Sequence, residues 1–181
     1  MQFLFAYQGC DLAYNRIQIA NGEVWRTLSG HFLHFNWTHW FLNSSALLLI
    51  VSIFHESWSW KTLLSSLTFS ALCISACLWF ISDDLKRYVG LSACLYALLV
   101  TSLIMDRSLS TRLRLSVWIT LLLKLLVDHS QPQLSMAKLI GGPVAVDSHV
   151  YGVLSGLANG ALLSLKRKAT TGTLPNKLQS P

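Results

Sequence analysis

The chain has few charged residues, and this shortage excludes an ordinary soluble domain. Charged side chains make up 12% of its 181 residues, whereas 52% of the residues are hydrophobic. Soluble domains carry roughly 25% charged residues. Because so few charges cannot cover a core of this size, we expect much of the surface to face lipid. Most cytosolic enzymes, disordered chains, coiled coils and collagen-like chains are excluded.

Cysteine is also scarce, and its positions do not suggest a metal site. The four cysteines, Cys10, Cys73, Cys77 and Cys94, lack zinc-ligand spacing. Cys73 and Cys77 lie one helical turn apart in an apolar run, which is typical of small packing residues. We therefore predict neither a metal nor a cofactor.

The net charge of +6 does not indicate a nucleic-acid partner, because the basic residues occur in short clusters between apolar runs. Such clusters are typical of the flanks of membrane helices. One set of alternate flanks holds eight basic residues and the other five, which predicts a cytoplasmic location for the first set. The first set is Lys61, Arg107, Arg112, Arg114, Lys166, Arg167, Lys168 and Lys177; the second is Arg16, Arg26, Lys86, Arg87 and Lys138.

Five apolar runs are long enough to cross a hydrocarbon layer about 30 Å thick. The runs are Trp37 to Phe54, Thr62 to Ser82, Val89 to Met105, Leu113 to Val127 and Val144 to Leu165. They predict an all-α, polytopic membrane helix bundle over residues 1–165, followed by a basic, flexible cytoplasmic tail over residues 166–181.

The apolar segment Met1 to Tyr7 is too short to span a bilayer and makes a poor signal peptide. We therefore expect the first helix to be truncated or missing, with the natural reading frame beginning upstream, or this segment to be the remnant of a sixth helix.

Polar residues inside membrane helices are costly, and they are therefore functional candidates. His39 and Asn43 are four residues apart and share one helix face. Gly90-Leu91-Ser92-Ala93 opens an apolar helix. His149 is followed at helical spacing by a glycine stripe, defined as Gly152, Gly156 and Gly160.

The glycine stripe allows another helix to approach closely, and the helix after Gly90 offers the small residues Ala93 and Ala97. If these surfaces meet, Ser92 and His149 come within hydrogen-bonding reach as a nucleophile and its base. Tyr96, one turn after Ser92, would then pack on the imidazole.

No aspartate is evident as an orienting third member. Asp147 is two residues from His149, and such positions do not face each other on a helix. The sequence therefore predicts a dyad, with His39, Asn43 and the Ser92 backbone N–H as donors to the oxyanion.

Each of these motifs alone has an ordinary interpretation. A lone serine and a Gly-x3-Gly pattern are common in helix packing, and His31, His34 and His39 could instead form a metal site. A transporter would need charged residues in mid-membrane, where Lys124 is the only candidate and lacks an obvious acidic partner.

Taken together, the motifs resemble the rhomboid family of intramembrane serine proteases over about residues 23–165. The resemblance implies that Ser92 is the nucleophile, His149 the base, and His39 and Asn43 the oxyanion donors. The other matches, with structural or supporting roles, are Trp25 and Arg26 of the first external loop, His34, Gly90, Tyr96, Gly152 and Gly156.

The small size and the segment Gly30 to His39 look most like the bacterial rhombosortases. This resemblance implies an enzyme of the bacterial inner membrane with its active site towards the periplasm, whose partners are the bilayer and membrane-anchored exported proteins. Its substrates would carry a C-terminal Gly-Gly-type sorting tail. The alternatives are a general rhomboid protease and a non-catalytic rhomboid-like binding protein. Ala93 replaces the usual glycine after the nucleophile, and we expect its methyl group to narrow the oxyanion pocket.

Overall fold

The computed structural model describes residues 11–131 and 136–172. The segment Met1 to Tyr7, Cys10 and residues 173–181 lie outside the described residues. Within the described part the chain is mostly helical, as predicted, with one short strand pair. The helices are α1 (Arg16–Ala20), α2 (Arg26–Ser29), α3 (Trp37–Ile53), α4 (Trp60–Phe80), α5 (Ser92–Met105), α6 (Thr111–Ser130), α7 (Ala137–Ile140) and α8 (Val146–Gly172).

Side-chain caps explain where several of the long helices begin. The Asn36 side chain accepts a hydrogen bond from the His39 backbone at the start of α3. Ser59 caps α4 through the Thr62 backbone, and Ser110 caps α6 in the same way. Each cap satisfies an N–H group that has no partner inside the helix.

The five long helices correspond to the five predicted apolar runs, but their lengths and compositions differ. Within the part of the chain that the structure describes, α4 is long and apolar enough to cross a membrane, whereas α3 and α5 are apolar but shorter. Helix α6 includes Lys124 and Asp128, which lower its hydropathy. The prediction of five spans is therefore not confirmed by helix length and composition.

The outer surface of the bundle is nevertheless apolar. Large hydrophobic side chains are exposed along several helices, among them Leu64 and Phe80 of α4 and Ile119 and Leu122 of α6. An apolar exterior of this extent is typical of a protein that faces lipid.

Helices α5 and α8 form the centre of the bundle, and the glycine stripe lies between them as predicted. A Cβ atom at Gly156 would lie 2.5 Å from the Ala97 carbonyl oxygen, and one at Gly152 would collide with the Ala93 carbonyl. The Thr101 hydroxyl also donates a 3.2 Å hydrogen bond to the Gly156 carbonyl. Glycine thus permits a close backbone approach that fixes the relative position of the two helices.

A short strand pair that the helical prediction did not include joins the segment before α1 to the loop between α4 and α5. Strand β1 (Tyr14–Asn15) pairs antiparallel with β2 (Arg87–Tyr88), so that Tyr14 lies opposite Tyr88. The Arg16 guanidinium donates to the carbonyls of Leu78 and Trp79 at the end of α4 and pairs with Asp83 at 2.7 Å. These contacts anchor the residues after Asp11 to the loop that precedes α5.

Helix α8 continues through Gly172. Residues 166–172, which the sequence assigned to the tail, therefore belong to the last helix.

Candidate active site

Ser92 is the first residue of α5, and the backbone before it requires glycine. Gly90 has a φ of +128°, a conformation that other residues rarely adopt. Its N–H donates to the Gly30 carbonyl at 3.1 Å, and a Cβ atom there would lie 2.9 Å from the His39 ring. Gly90 thus allows the turn that presents Ser92 beside His39.

The α5 and α8 packing brings Ser92 and His149 together. The Ser92 Oγ and the His149 Nε2 are 3.0 Å apart, which is hydrogen-bonding distance. His149 lies near the start of α8 and is buried, with 7% of its surface exposed. The contact predicted from the two small-residue stripes is confirmed.

Tyr96 lies one turn below Ser92 and packs on His149. The two ring centroids are 4.6 Å apart and the ring planes are 21° from parallel. This stacking limits rotation of the imidazole, so that Nε2 stays directed at Ser92. The predicted packing of Tyr96 on the imidazole is confirmed.

Two N–H donors face the same space from α3. The Phe35 backbone N–H donates to the His39 Nδ1 at 3.4 Å, which places the ring proton of neutral His39 on Nε2, the atom nearer Gly90. The Asn43 Nδ2 is buried and has no hydrogen-bond partner among the described residues. A buried donor without an acceptor is costly unless a ligand or intermediate supplies one.

These groups line a cavity of about 200 Å³. Its polar lining includes Ser92, His149, Tyr96, His39 and Asn43. Its apolar side is formed by Phe35, Leu42, Met136, Ile140 and Pro143. The cavity is thus small and mostly apolar, and Ser92 is part of its lining.

The comparisons with known proteins agree with this geometry. A family model of the rhomboid domain matches residues 21–166, which is most of the chain. The chain belongs to the rhomboid family. Rhomboid proteins are integral to the membrane, are generally serine proteases, and act on membrane proteins within the bilayer. No curated protein and no solved structure matches the chain.

Other residues matched to rhomboid motifs lie next to the site or away from it. His34 is buried, with its ring edge-on to His39 at a centroid distance of 4.9 Å. Arg26 pairs with Glu23 at 2.6 Å and donates to the Ala13 carbonyl at 2.9 Å, so it holds the segment before β1. Trp25 is 53% exposed, and neither it nor Arg26 lines the cavity.

His31 is separated from His34 and His39 by its own contacts. It is fully buried, its Nε2 lies 3.0 Å from the Ser75 hydroxyl, and its Nδ1 lies 3.5 Å from the Cys94 thiol. The three histidines therefore do not converge as the alternative metal site would require.

Ala93 does not act as the sequence suggests. It is fully buried beside Gly152 and is not among the described residues that line the cavity. The expectation that its methyl group narrows the oxyanion pocket is wrong, because Ala93 belongs to the contact between α5 and α8.

An acidic residue that the sequence motifs did not include also lines this site. Asp128 is 3% exposed and lines the cavity, and one of its carboxylate oxygens lies 3.9 Å from the His149 Nδ1. The same oxygen forms an ion pair with Lys124, so the statement that Lys124 lacks an acidic partner is wrong. Lys124 and Asp128 are four residues apart, a spacing that places two side chains on the same helix face. The sequence did not indicate this pair because the predicted span ended at Val127, whereas α6 continues to Ser130.

Proposed function

We propose that this rhomboid protein is an intramembrane serine endopeptidase with Ser92 as nucleophile and His149 as general base. The observation that carries the proposal is the 3.0 Å contact between the Ser92 Oγ and the His149 Nε2 in a buried site. Because that ring nitrogen accepts the hydroxyl proton, the oxygen can attack a carbonyl carbon.

Attack forms the Oγ–C bond and moves the carbonyl π electrons onto oxygen. His39 Nε2–H, Asn43 Nδ2–H and the Ser92 backbone N–H are the groups that would stabilise this oxyanion, and Asn43 is supported by its unpartnered buried donor. Collapse of the intermediate breaks the C–N bond, and the leaving amine takes the proton from His149. Water then releases the acyl group from Ser92 by the same base.

The first test is labelling in membranes with a fluorophosphonate probe, followed by proteolysis of a membrane-anchored reporter. Wild-type protein should label and cleave, whereas Ser92→Ala and His149→Ala should do neither while remaining folded and inserted. Because the two residues act as one unit, the double variant should be no worse than either single variant. A wild type that neither labels nor cleaves would support the non-catalytic alternative. Labelling that persists in Ser92→Ala would show that Ser92 is not the nucleophile that reacts with the probe.

We further propose that the substrates are exported proteins with a C-terminal membrane anchor preceded by a Gly-Gly-type sorting tail. The support is the similarity to rhombosortases and the chemistry of the site. A peptide bond can reach Ser92 only when its segment is extended, because helical carbonyls are hydrogen-bonded and shielded. Glycine makes unwinding easier by roughly 1 kcal/mol relative to alanine, and a cavity of about 200 Å³ suits small residues.

The substrate proposal is tested with two reporters that differ only in the tail. One carries Gly-Gly before the anchor, and in the other both glycines are replaced by Leu. Preferential cleavage of the glycine reporter supports the proposal. Equal cleavage of both would favour a general rhomboid protease instead.

For the membrane arrangement we propose five spans, formed by α3, α4, α5, α6 and α8, in a bacterial inner membrane. The starts of α3, α5 and α8 all contribute to the site, which places it at one end of the bundle. The larger set of basic residues flanks the opposite ends of these helices, so the site would face the periplasm.

A further inference from the structure

One of the two ring nitrogens of His149 has no function in a Ser-His dyad. Its Nε2 faces the Ser92 hydroxyl, whereas its Nδ1 is buried and has no hydrogen-bond partner among the described residues. If Nε2 accepts the serine proton, the neutral ring carries its own proton on Nδ1. A buried N–H of this kind needs an acceptor.

We propose that Asp128 is this acceptor and positions His149, so that the catalytic group is Ser92, His149 and Asp128. The proposal rests on the proposed protease function. The Asp128 carboxylate lies 3.9 Å from the His149 Nδ1, on the side of the ring away from Ser92. That distance is too long for a hydrogen bond, but catalytic hydrogen bonds are often long before substrate binds. A shift of about 1 Å brings the atoms within bonding distance.

The ion pair with Lys124 holds the Asp128 carboxylate in place. Its side chain is 4% exposed, whereas the side chain of its ion-pair partner Lys124 is 49% exposed. A buried carboxylate is expensive unless it is paired, and the ammonium group one turn earlier on α6 supplies the pair. The pair thus holds a negative charge beside the imidazole without removing Asp128 from the cavity.

In the reaction this carboxylate stabilises two forms of His149. It fixes the tautomer whose Nε2 is free to accept the Ser92 proton, and it stabilises the imidazolium that forms when the Oγ–C bond forms. The proton on Nε2 passes to the leaving amine, the proton on Nδ1 stays on the ring, and Asp128 remains ionised throughout. Tyr96 holds the ring plane by stacking, so the two residues constrain different motions.

The test compares Asp128→Asn with Asp147→Asn in purified protein, using the cleavable reporter and the fluorophosphonate probe. Asp147 provides a matched control because it is exposed and lies two residues from His149 on α8. We expect Asp128→Asn to lower kcat on the order of 10²-fold or more, with KM and thermal stability little changed, because an amide cannot stabilise the imidazolium. Asp147→Asn should leave kcat unchanged.

Two further variants separate positioning of His149 from loss of the ion pair. Lys124→Met removes the pair but keeps the carboxylate, so it should lose much less kcat than Asp128→Asn. The double variant Lys124→Met with Asp128→Asn leaves no unpaired charge, so it serves as the test if Asp128→Asn alone folds poorly. It should lose as much kcat as is expected for Asp128→Asn.

Either of two results would overturn the proposal while leaving the protease function intact. One is a wild type that labels at Ser92 together with an Asp128→Asn variant of equal kcat. The other is a Lys124→Met variant that loses as much kcat as Asp128→Asn. A wild type that neither labels nor cleaves would overturn both proposals.

Discussion

At the scale of single residues, the site combines the hydrogen-bonded pair of Ser92 and His149 with the buried amide donor of Asn43. Asn43 is 6% exposed, and its Nδ2 meets no acceptor among the described residues. Such a group destabilises the resting protein by about 1 to 3 kcal/mol. It can stabilise negative charge that develops nearby. Its position on α3, one turn from His39, explains why both donors face the same cavity.

We expect Asn43→Ala to lower kcat on the order of 10² to 10³-fold if its amide stabilises the oxyanion. Labelling of the folded variant and reporter kinetics measure this effect. Asn36→Ala provides a contrast, because Asn36 caps α3 through the His39 backbone at 2.8 Å and should affect mainly stability. An Asn43→Ala enzyme with unchanged kcat would remove Asn43 from the oxyanion site.

We expect the stability of the fold to decrease in acid because of His31. It lies in the 3₁₀ turn Gly30–Phe32, outside the proposed spans, and its burial lowers its pKa from 6.5 to about 4. The unfolded chain therefore binds a proton at His31 between about pH 4 and pH 6.5, where the folded chain does not. Stability should be full above this window and fall by about 1.4 kcal/mol per pH unit as the pH drops through it.

Thermal unfolding in detergent between pH 7 and pH 5 measures this dependence. His31→Gln should lower Tm at pH 7 but reduce its dependence on pH, because the titrating group is gone. The matched change His55→Gln, at an exposed position, should leave the dependence as in the wild type. Identical pH dependence in all three proteins would contradict the prediction.

At the scale of elements, the contact between Ser92 and His149 depends on how closely α5 and α8 approach. Ser92 and His149 belong to different helices, and the glycine stripe sets the distance between those helices. Hydrogen bonds from Thr101 to the Gly156 carbonyl, and from Asn159 to the Thr101 hydroxyl at 3.5 Å, support the same interface. A change deep in this interface should therefore reach the site.

Gly156→Val is expected to destabilise the protein by about 1 to 3 kcal/mol, because the new valine side chain would meet the Ala97 backbone and the Val100 side chain. It should also lower probe labelling of Ser92 by moving α8 and His149 away. Ala158→Val, an exposed position two residues further along α8, controls for the added bulk. Equal Tm and equal labelling for both variants would show that the stripe does not set the helix spacing.

At the scale of the whole molecule, the larger set of basic residues and the cavity lie at opposite ends of the helix bundle. The loop between α4 and α5 lies at the end that holds the cavity, whereas the loop between α3 and α4 lies at the other end. If the first end faces the periplasm, a cysteine at Asp84 should react with a membrane-impermeant maleimide in intact cells. A cysteine at Glu56 should react only after lysis.

Asp84→Cys and Glu56→Cys are introduced into a protein whose native cysteines have been replaced, and that parent protein is the labelling control. Both positions are exposed, so accessibility depends on the side of the membrane rather than on burial. The reverse labelling pattern would place the site on the cytoplasmic side and contradict the proposed orientation.

The sequence by itself determined the features that depend on local spacing. Apolar runs between basic flanks located the five long helices, because lipid-facing helices need such runs. The small residues of α5 and α8 occur at matching helical intervals, and this pattern predicted the contact between Ser92 and His149. Spacing along one helix also placed His39 beside Asn43.

Tertiary structure decided the features that depend on how separate segments meet. The β1 and β2 pair joins residues more than seventy positions apart, and no local pattern marks it. Asp128 follows the end of the predicted span, and only the packing of α6 beside α8 brings its carboxylate near His149. Ala93 follows Ser92 in the sequence, but its backbone lies against Gly152 in the contact between α5 and α8, because successive helix residues point about 100° apart.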